Sequence, residues 1–148
     1  MSTKTTTDIM ETMGTWFDKA PALPKTWREN LVKAIPVLTL IFGILGIILS
    51  ISGLGIFTAA SPFAYFGGAT PLYYGNGFLT MLLYLIGYVL MLAAYPGTKG
   101  RKVKGWKLLF WSEAIFFVGG LISLSIVSAI IGALIGFYLL FQIRSYYK

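Results

Sequence analysis

Residues 36–57 read PVLTLIFGILGIILSISGLGIF and contain no charged side chain. They belong to a longer uncharged run from Ala34 to Thr98, and a second uncharged run extends from Ala114 to Ile143. Soluble domains carry about 25% charged residues to cover their surface. Here the charged fraction is 11%. The sequence therefore predicts an integral membrane protein, because a hydrocarbon core is crossed by about 20 consecutive apolar residues.

Four apolar segments are candidates for membrane-spanning helices, separated by breaks rich in glycine, proline or cations. Their predicted bounds are 36–57, 78–95, 106–123 and 127–143. The stretch from Trp106 to Ile143 is divided in two, since one helix of that length would measure roughly 57 Å against a core of about 30 Å. The break is expected between Leu121 and Ser128, and a re-entrant hairpin is the alternative.

The positive charges predict the orientation of these spans. All 12 Lys and Arg residues lie before the first span, between the second and third, or after the fourth. Such residues concentrate in cytoplasmic loops, so both termini are expected on the cytoplasmic side of a prokaryotic inner membrane. Residues 58–77 carry no charge, and we expect them to form an outer loop with aromatic rings at the headgroup level.

Residues 1–25 are expected to form a cytoplasmic amphipathic segment in front of the transmembrane domain, residues 26–148. A short helix is predicted from Asp8 to Lys19, with Glu11 at capping-box spacing from Asp8. The apolar side chains that recur on one face are Ile9, Met13, Trp16, Phe17 and Ala20. Aromatic rings on one face fit the membrane interface, and packing on the protein's own cytoplasmic loop is the alternative.

The expected fold is all-α, with four transmembrane helices in an up-down bundle preceded by a short amphipathic interfacial helix. Such a chain offers little for catalysis. It has no cysteine and no histidine, which removes thiolate nucleophiles, the commonest general base and the commonest metal ligand. We expect no catalytic, cofactor-binding or metal site, no cofactor and no nucleic-acid partner. A membrane-embedded enzyme is the alternative.

One acidic residue, Glu113, lies inside a predicted span, about 10 Å from its cytoplasmic edge. An ionisable group at that depth is costly and points to a functional site, although a role in helix packing is the alternative. Tyr88 and Tyr138 have a similar predicted depth and Gln142 is slightly shallower. These four residues form a candidate intramembrane polar cluster, in which Glu113 faces the bundle interior and shares a hydrogen bond with another member.

Small residues on the last two spans predict close helix packing. Ser128, Gly132 and Gly136 recur every four residues on the fourth span, and Gly119 and Gly120 lie at matching depth on the third. Such ladders let helix backbones approach each other. The surface opposite this ladder is expected to be either the third span or a second copy of the chain.

Aromatic and basic residues near the cytoplasmic edge are candidates for contact with lipid headgroups. They are Trp16, Phe17, Lys99, Arg101, Lys102, Lys104 and Lys107. Juxtamembrane clusters of roughly 4–8 Lys or Arg residues can hold anionic lipid. The alternative is that these cations only orient the chain in the bilayer.

The absence of catalytic groups and the abundance of glycine favour a function in binding. The expected partners, besides the lipid bilayer, are other membrane protein subunits or copies of the chain itself. The chain would then be an accessory or assembly subunit of a membrane complex, or a homo-oligomer. The alternative is a small channel or transporter that uses Glu113. It would have to be oligomeric, because four spans are too few to enclose a typical pore.

Overall fold

The computed structural model describes residues 2–68 and 70–148, and of residues 2–4, 6, 65 and 71–74 it describes the backbone alone. The helices are α1 (Ser2–Phe17), α2 (Lys25–Phe66), α3 (Pro71–Lys99), α4 (Val103–Ile122) and α5 (Ile126–Ile143). A 3-10 turn at Arg144–Tyr146 follows α5, and the described part of the chain contains no strand. The all-α prediction is confirmed for these residues.

Helices α2 to α5 are each long and apolar enough to cross a membrane. Large aliphatic side chains cover their outer surfaces. Leu49, Ile56 and Val127 are 69%, 71% and 72% exposed. Such exposure is unfavourable in water and ordinary in hydrocarbon. The chain is therefore an integral membrane protein with four candidate spans, as its composition predicts.

The division of the last apolar stretch into two helices is confirmed. Helix α4 ends at Ile122 and α5 begins at Ile126, so the break falls inside the predicted interval. Leu124 in this turn has φ +59°, a left-handed conformation that is uncommon outside glycine. The amide of Ser125 donates to the Gly120 carbonyl at 3.1 Å, which closes the turn. Both helices are long enough to be full spans.

The predicted outer loop at 58–77 is wrong in its extent, because both flanking helices continue into it and leave only residues 67–70 between them. The reason for the longer α2 lies at Pro62, which sits inside the helix. Proline lacks an amide and so leaves the carbonyl of Thr58, four residues earlier, without its helical donor. The Ser61 hydroxyl donates to that carbonyl at 2.8 Å. Hydroxyls that replace lost backbone donors let proline persist in membrane helices.

The aromatic side chains expected in this outer loop are only partly described. Phe63 and Phe66 project from the end of α2 and are exposed. The side chains of Tyr65, Tyr73 and Tyr74 lie outside the described residues.

Helix α1 is longer than predicted and begins at Ser2, so Asp8 lies inside the helix and does not cap it. Tertiary packing stabilises this longer helix. Met10 is buried against the rest of the protein, and the Phe17 ring stacks on Phe141 of α5 at 5.2 Å. Docking of these side chains stabilises a helix whose own polar termini would fray.

Helices adjacent in sequence pack against each other, α2 with α3, α3 with α4, and α4 with α5. Glycine permits the closest approaches. A Cβ atom on Gly46 of α2 would overlap the ring of Tyr88 on α3. Between α3 and α4, the buried hydroxyl of Ser112 donates to the Gly87 carbonyl at 2.9 Å. The hydrophobic effect does not drive helices together within lipid, so close packing and interhelical hydrogen bonds of this kind stabilise the bundle.

Helix α1, the C-terminal residues and the α3–α4 turn lie at one end of the bundle, which we call the basic end. The Tyr138 hydroxyl of α5 donates to the carbonyl of Pro21 at 2.6 Å. The backbone amides of Lys148 and Val103 donate to the carbonyls of Arg101 and Lys148, at 2.9 and 3.1 Å. The last residue of the chain is thereby bonded to the α3–α4 turn.

The most deeply buried side chains are concentrated toward this basic end. Trp106 and Phe110 of α4 are each 2% exposed, and Ile143 of α5 is fully buried. The Phe110 ring lies 5.7 Å from Trp106 and 5.1 Å from Phe137. These aromatic contacts fix the C-terminal half of α5 against the start of α4.

Candidate functional site

Glu113 lies on the side of α4 that meets α5. A Cβ atom on Gly136 of α5 would overlap its carboxylate, so the glycine makes room for the acid. Beside this contact is a cavity of about 190 Å³, lined by Glu113 together with Tyr84 of α3 and Ser128 and Gly132 of α5. Ser128 and Gly132 are exposed, so the cavity is a groove at the surface of the bundle. We call it the Glu113 groove.

The predicted hydrogen bonds from Glu113 to Tyr138 or Gln142 are wrong. Tyr138 donates to the Pro21 carbonyl, and the Gln142 amide donates to that same carbonyl at 3.3 Å. The Gln142 side-chain oxygen accepts from the Leu23 amide at 3.1 Å. The physical reason lies in the linker between α1 and α2, whose irregular backbone leaves polar groups without helical partners.

Tyr88 is also engaged elsewhere. Its ring covers Gly46 and lies 4.8 Å from the ring of Phe116. Among the described residues, no hydrogen bond joins it to Glu113. The structure thus distributes the four candidate polar residues over three places. Tyr138 and Gln142 lie at the basic end, Tyr88 packs on Gly46 and Phe116, and Glu113 lies where α4 meets α5. Whether Glu113 has a function stays a prediction.

The predicted packing residues fall into two groups. Cβ atoms on Gly119 and Gly120 would lie 2.7 Å from the Tyr84 ring and 2.6 Å from the Ala129 side chain, so both glycines allow close approach within the chain. Gly132 differs, because a Cβ atom there would meet nothing within 4 Å. The ladder on α5 is therefore packed at Gly136 and open at Gly132 and Ser128.

The candidates for lipid-headgroup contact are distributed over the basic end. The exposed cations are Lys99, Arg101, Lys102, Lys104 and Lys107. Trp16 is 66% exposed, whereas Phe17 is half-buried against Phe141. Helix α1 therefore packs on the protein through Met10 and Phe17 and leaves Trp16 available to another surface.

Sequence reasoning missed a second cavity, of about 700 Å³, which we call the basic-end cavity. It is enclosed by α1, the linker after it, the first turns of α2 and α4, and the C-terminal residues. Trp106 organises one wall, since its Nε1 donates to the Leu140 carbonyl at 2.8 Å and its ring lies 5.3 Å from the Arg144 guanidinium. The sequence signal for this cavity was the polar and aromatic run Gln142–Tyr147. Taken alone, that run indicates only the border of a membrane span.

No group of three or more His, Cys, Asp or Glu side chains in the described part of the chain could hold a metal ion. No protein-family model matches the chain, and no curated protein or solved structure matches it. Function is therefore argued from the two cavities themselves.

Proposed function

We propose that the chain works by binding, as a non-catalytic subunit that accepts a transmembrane helix in the Glu113 groove. That helix belongs to another subunit of a membrane complex or to a second copy of the chain. The single observation that carries the proposal is a carboxyl group inside an apolar span with no hydrogen-bond partner among the described residues. Polar groups in hydrocarbon are costly when they lack partners, so a donor from a docked helix would stabilise this one.

The shape of the groove supports a helix as its occupant. Its volume of about 190 Å³ is small for a ligand site, since such sites typically measure about 300–1,000 Å³. Gly132 is open to approach and Ser128, one helical turn away, offers a hydroxyl. Small residues one turn apart are the usual means by which membrane helices come close enough for hydrogen bonding.

We further propose that the bundle is up-and-down, with the basic end in the cytoplasm of a prokaryotic cell and α1 at the inner-membrane interface. The support is the concentration of cations at that end, because cytoplasmic loops carry an excess of Lys and Arg. In this arrangement the end of α2 and the start of α3 face the outside. The exposed Trp16 of α1 would then lie at the headgroup level, where tryptophan is enriched.

Substitution of Gly132 by leucine tests the docking proposal. The free space at this position lets the chain fold normally, while the added side chain fills the groove and separates the helices. We expect the size of the particle in mild detergent to fall to that of a single chain. Gly55→Leu on α2 is the matched control, because a Cβ atom at that glycine also meets nothing within 4 Å. An unchanged particle in Gly132→Leu would contradict the proposal.

An oligomeric channel or transporter is the second candidate, favoured by the same acid inside the span. The two candidates differ in what they require of Glu113. Docking requires a hydrogen-bonding side chain, whereas proton or cation transport requires a group that ionises. Reconstituted vesicles with a pH-sensitive dye distinguish them, since transport by the wild-type chain that disappears in Glu113→Gln would favour the channel.

A further inference from the structure

The basic-end cavity has the size and lining of a ligand site. Its volume of about 700 Å³ falls within the range of roughly 300–1,000 Å³ that small-molecule sites occupy. Apolar side chains form part of its lining, notably Met10, Phe17 and Phe141. A cavity with both apolar and polar walls suits an amphipathic molecule.

Cations outnumber acids in this lining. Arg28, Lys107 and Arg144 line the cavity, and Asp18 is the one acid among the lining residues that the structure describes. The guanidinium of Arg144 is oriented by its position over the Trp106 ring. Gly14 of α1 leaves space for it, since a Cβ atom there would lie 3.0 Å from the Arg144 Nη1. The positive excess favours an anion.

Two lining side chains also carry buried donors without a partner. The Nε of Arg28 and the hydroxyl of Tyr147 are buried and make no hydrogen bond to the described residues. A tyrosine hydroxyl is protonated at neutral pH, and burial raises the pKa of Tyr147 further, to about 12, although nearby Arg101 lowers it in part. Native proteins pair nearly all such groups, so both are candidate donors to acceptor oxygens of a ligand in the cavity.

The position of the cavity indicates where this ligand comes from. Lys107 and Arg144 stand at the ends of two candidate spans, and the exposed rings of Trp16 and Trp27 lie on the neighbouring helices. Tryptophan at the end of a span is typical of the headgroup level of a bilayer. A cavity at that level is within reach of lipid headgroups.

We propose that the basic-end cavity binds the phosphate of an anionic phospholipid, with Arg28, Lys107, Arg144 and the Tyr147 hydroxyl as donors. Arginine presents a planar pair of N–H groups that matches phosphate oxygens. The glycerol and upper acyl carbons lie against Met10, Phe17 and Phe141. A soluble phosphate compound shares the phosphate chemistry, and the experiment below separates the two sources.

Native mass spectrometry of the delipidated full-length chain in mild detergent measures this binding directly. The probes are phosphatidylglycerol, phosphatidylcholine and glycerol 3-phosphate. We expect one phosphatidylglycerol per chain and binding about tenfold weaker for the other two, which lack either the net negative charge or the acyl chains. Equal binding of phosphatidylcholine would overturn the anion preference. Binding of glycerol 3-phosphate as tight as that of phosphatidylglycerol would overturn the lipid as the source.

Paired substitutions locate the site. Arg28→Gln with Arg144→Gln is expected to weaken phosphatidylglycerol binding by about tenfold or more. The control, Lys25→Gln with Lys33→Gln, removes the same charge from exposed positions of α2 outside the cavity lining and should change binding less than about twofold. Equal losses in both pairs would mean diffuse attraction to the basic end and would overturn the proposal.

A neutral substitution keeps the test decisive if the arginine pair fails to fold. Tyr147→Phe removes only the buried hydroxyl and preserves the ring. We expect it to weaken binding by about threefold to tenfold, as one hydrogen bond would, and to leave the elution of the protein unchanged. Full binding by Tyr147→Phe, in a chain whose arginine variant does not fold, would contradict the site.

Discussion

Glu113 carries an ionisable group within an apolar span, and it lies beside a small residue and an open groove. Its carboxylate is accommodated by Gly136 on α5, and a Cβ atom placed at Gly132, one helical turn away, would meet none of the described residues within 4 Å. This arrangement leaves room beside the acid for a side chain that the protein itself does not supply. Under the docking proposal, we therefore expect Glu113 to matter more for association between helices than for the fold of the single chain.

Two substitutions of Glu113 separate hydrogen bonding from charge. Glu113→Gln should leave assembly nearly unchanged, because an amide keeps the shape and still donates and accepts. Glu113→Leu should weaken assembly by about 1 kcal/mol, the magnitude of an interhelical hydrogen bond in membranes. Energy transfer between labelled chains, or between the chain and its purified partner, measures this on dilution in detergent. Equal loss in both variants would mean that ionisation is required.

At the scale of elements, sequence reasoning succeeded where the length of an uncharged apolar run controls the helices. The break between α4 and α5 follows from the length of the run 106–143. It failed at the outer end of α2, because no propensity rule anticipates that the Ser61 hydroxyl compensates for the missing amide of Pro62. It also failed at Tyr138 and Gln142, whose partners lie more than a hundred residues away in the α1–α2 linker.

The contact of helix α1 with the membrane is tested at Trp16. Trp16→Glu should lift the outer face of α1 from the membrane, because a charged residue replaces an interfacial ring. A spin label on Ile9→Cys, unique since the chain has no cysteine, should then become more accessible to a water-soluble relaxation agent. Thr15→Glu is the control with the same charge at a neighbouring exposed position. Equal effects of the two substitutions would show that Trp16 has no specific membrane contact.

At the scale of the whole molecule, the basic end joins segments that are distant in sequence. The α1–α2 linker is bonded to α5, and the final residue is bonded to the α3–α4 turn. Sequence reasoning predicted that these segments share one side of the membrane, from their charge. It could not predict the cavity that they enclose, since that space depends on how α1 packs on α5.

Removal of residues 145–148 tests how strongly the C-terminal residues stabilise this end. The deletion breaks two backbone hydrogen bonds with the α3–α4 turn and removes the buried Tyr147 ring. We expect destabilisation by about 2–4 kcal/mol, measured as a lower unfolding temperature in detergent. A control that replaces only Lys148 with Ala keeps the backbone bonds and should unfold like the wild type. Equal unfolding temperatures for the deletion and the wild type would contradict this packing.

Orientation in the membrane is tested by single cysteines in intact cells. Lys102→Cys and Lys148→Cys should be protected from an impermeant thiol reagent, because both lie at the basic end. Gly67→Cys lies between α2 and α3 at the opposite end and should react. Protection of Gly67→Cys together with labelling of Lys102→Cys would reverse the proposed orientation.

The most direct measurement of helix docking is photocrosslinking from the Glu113 groove in native membranes. A benzophenone side chain replaces Ile135, an exposed apolar residue on α5 three positions after Gly132, so the groove itself stays free. A second variant carries it at Ile56, which is also exposed but lies on α2, outside the groove lining. Docking predicts a discrete covalent adduct from position 135, identified by mass spectrometry as a peptide of a membrane-spanning helix, and none from position 56. Adducts with lipid alone at both positions would contradict it.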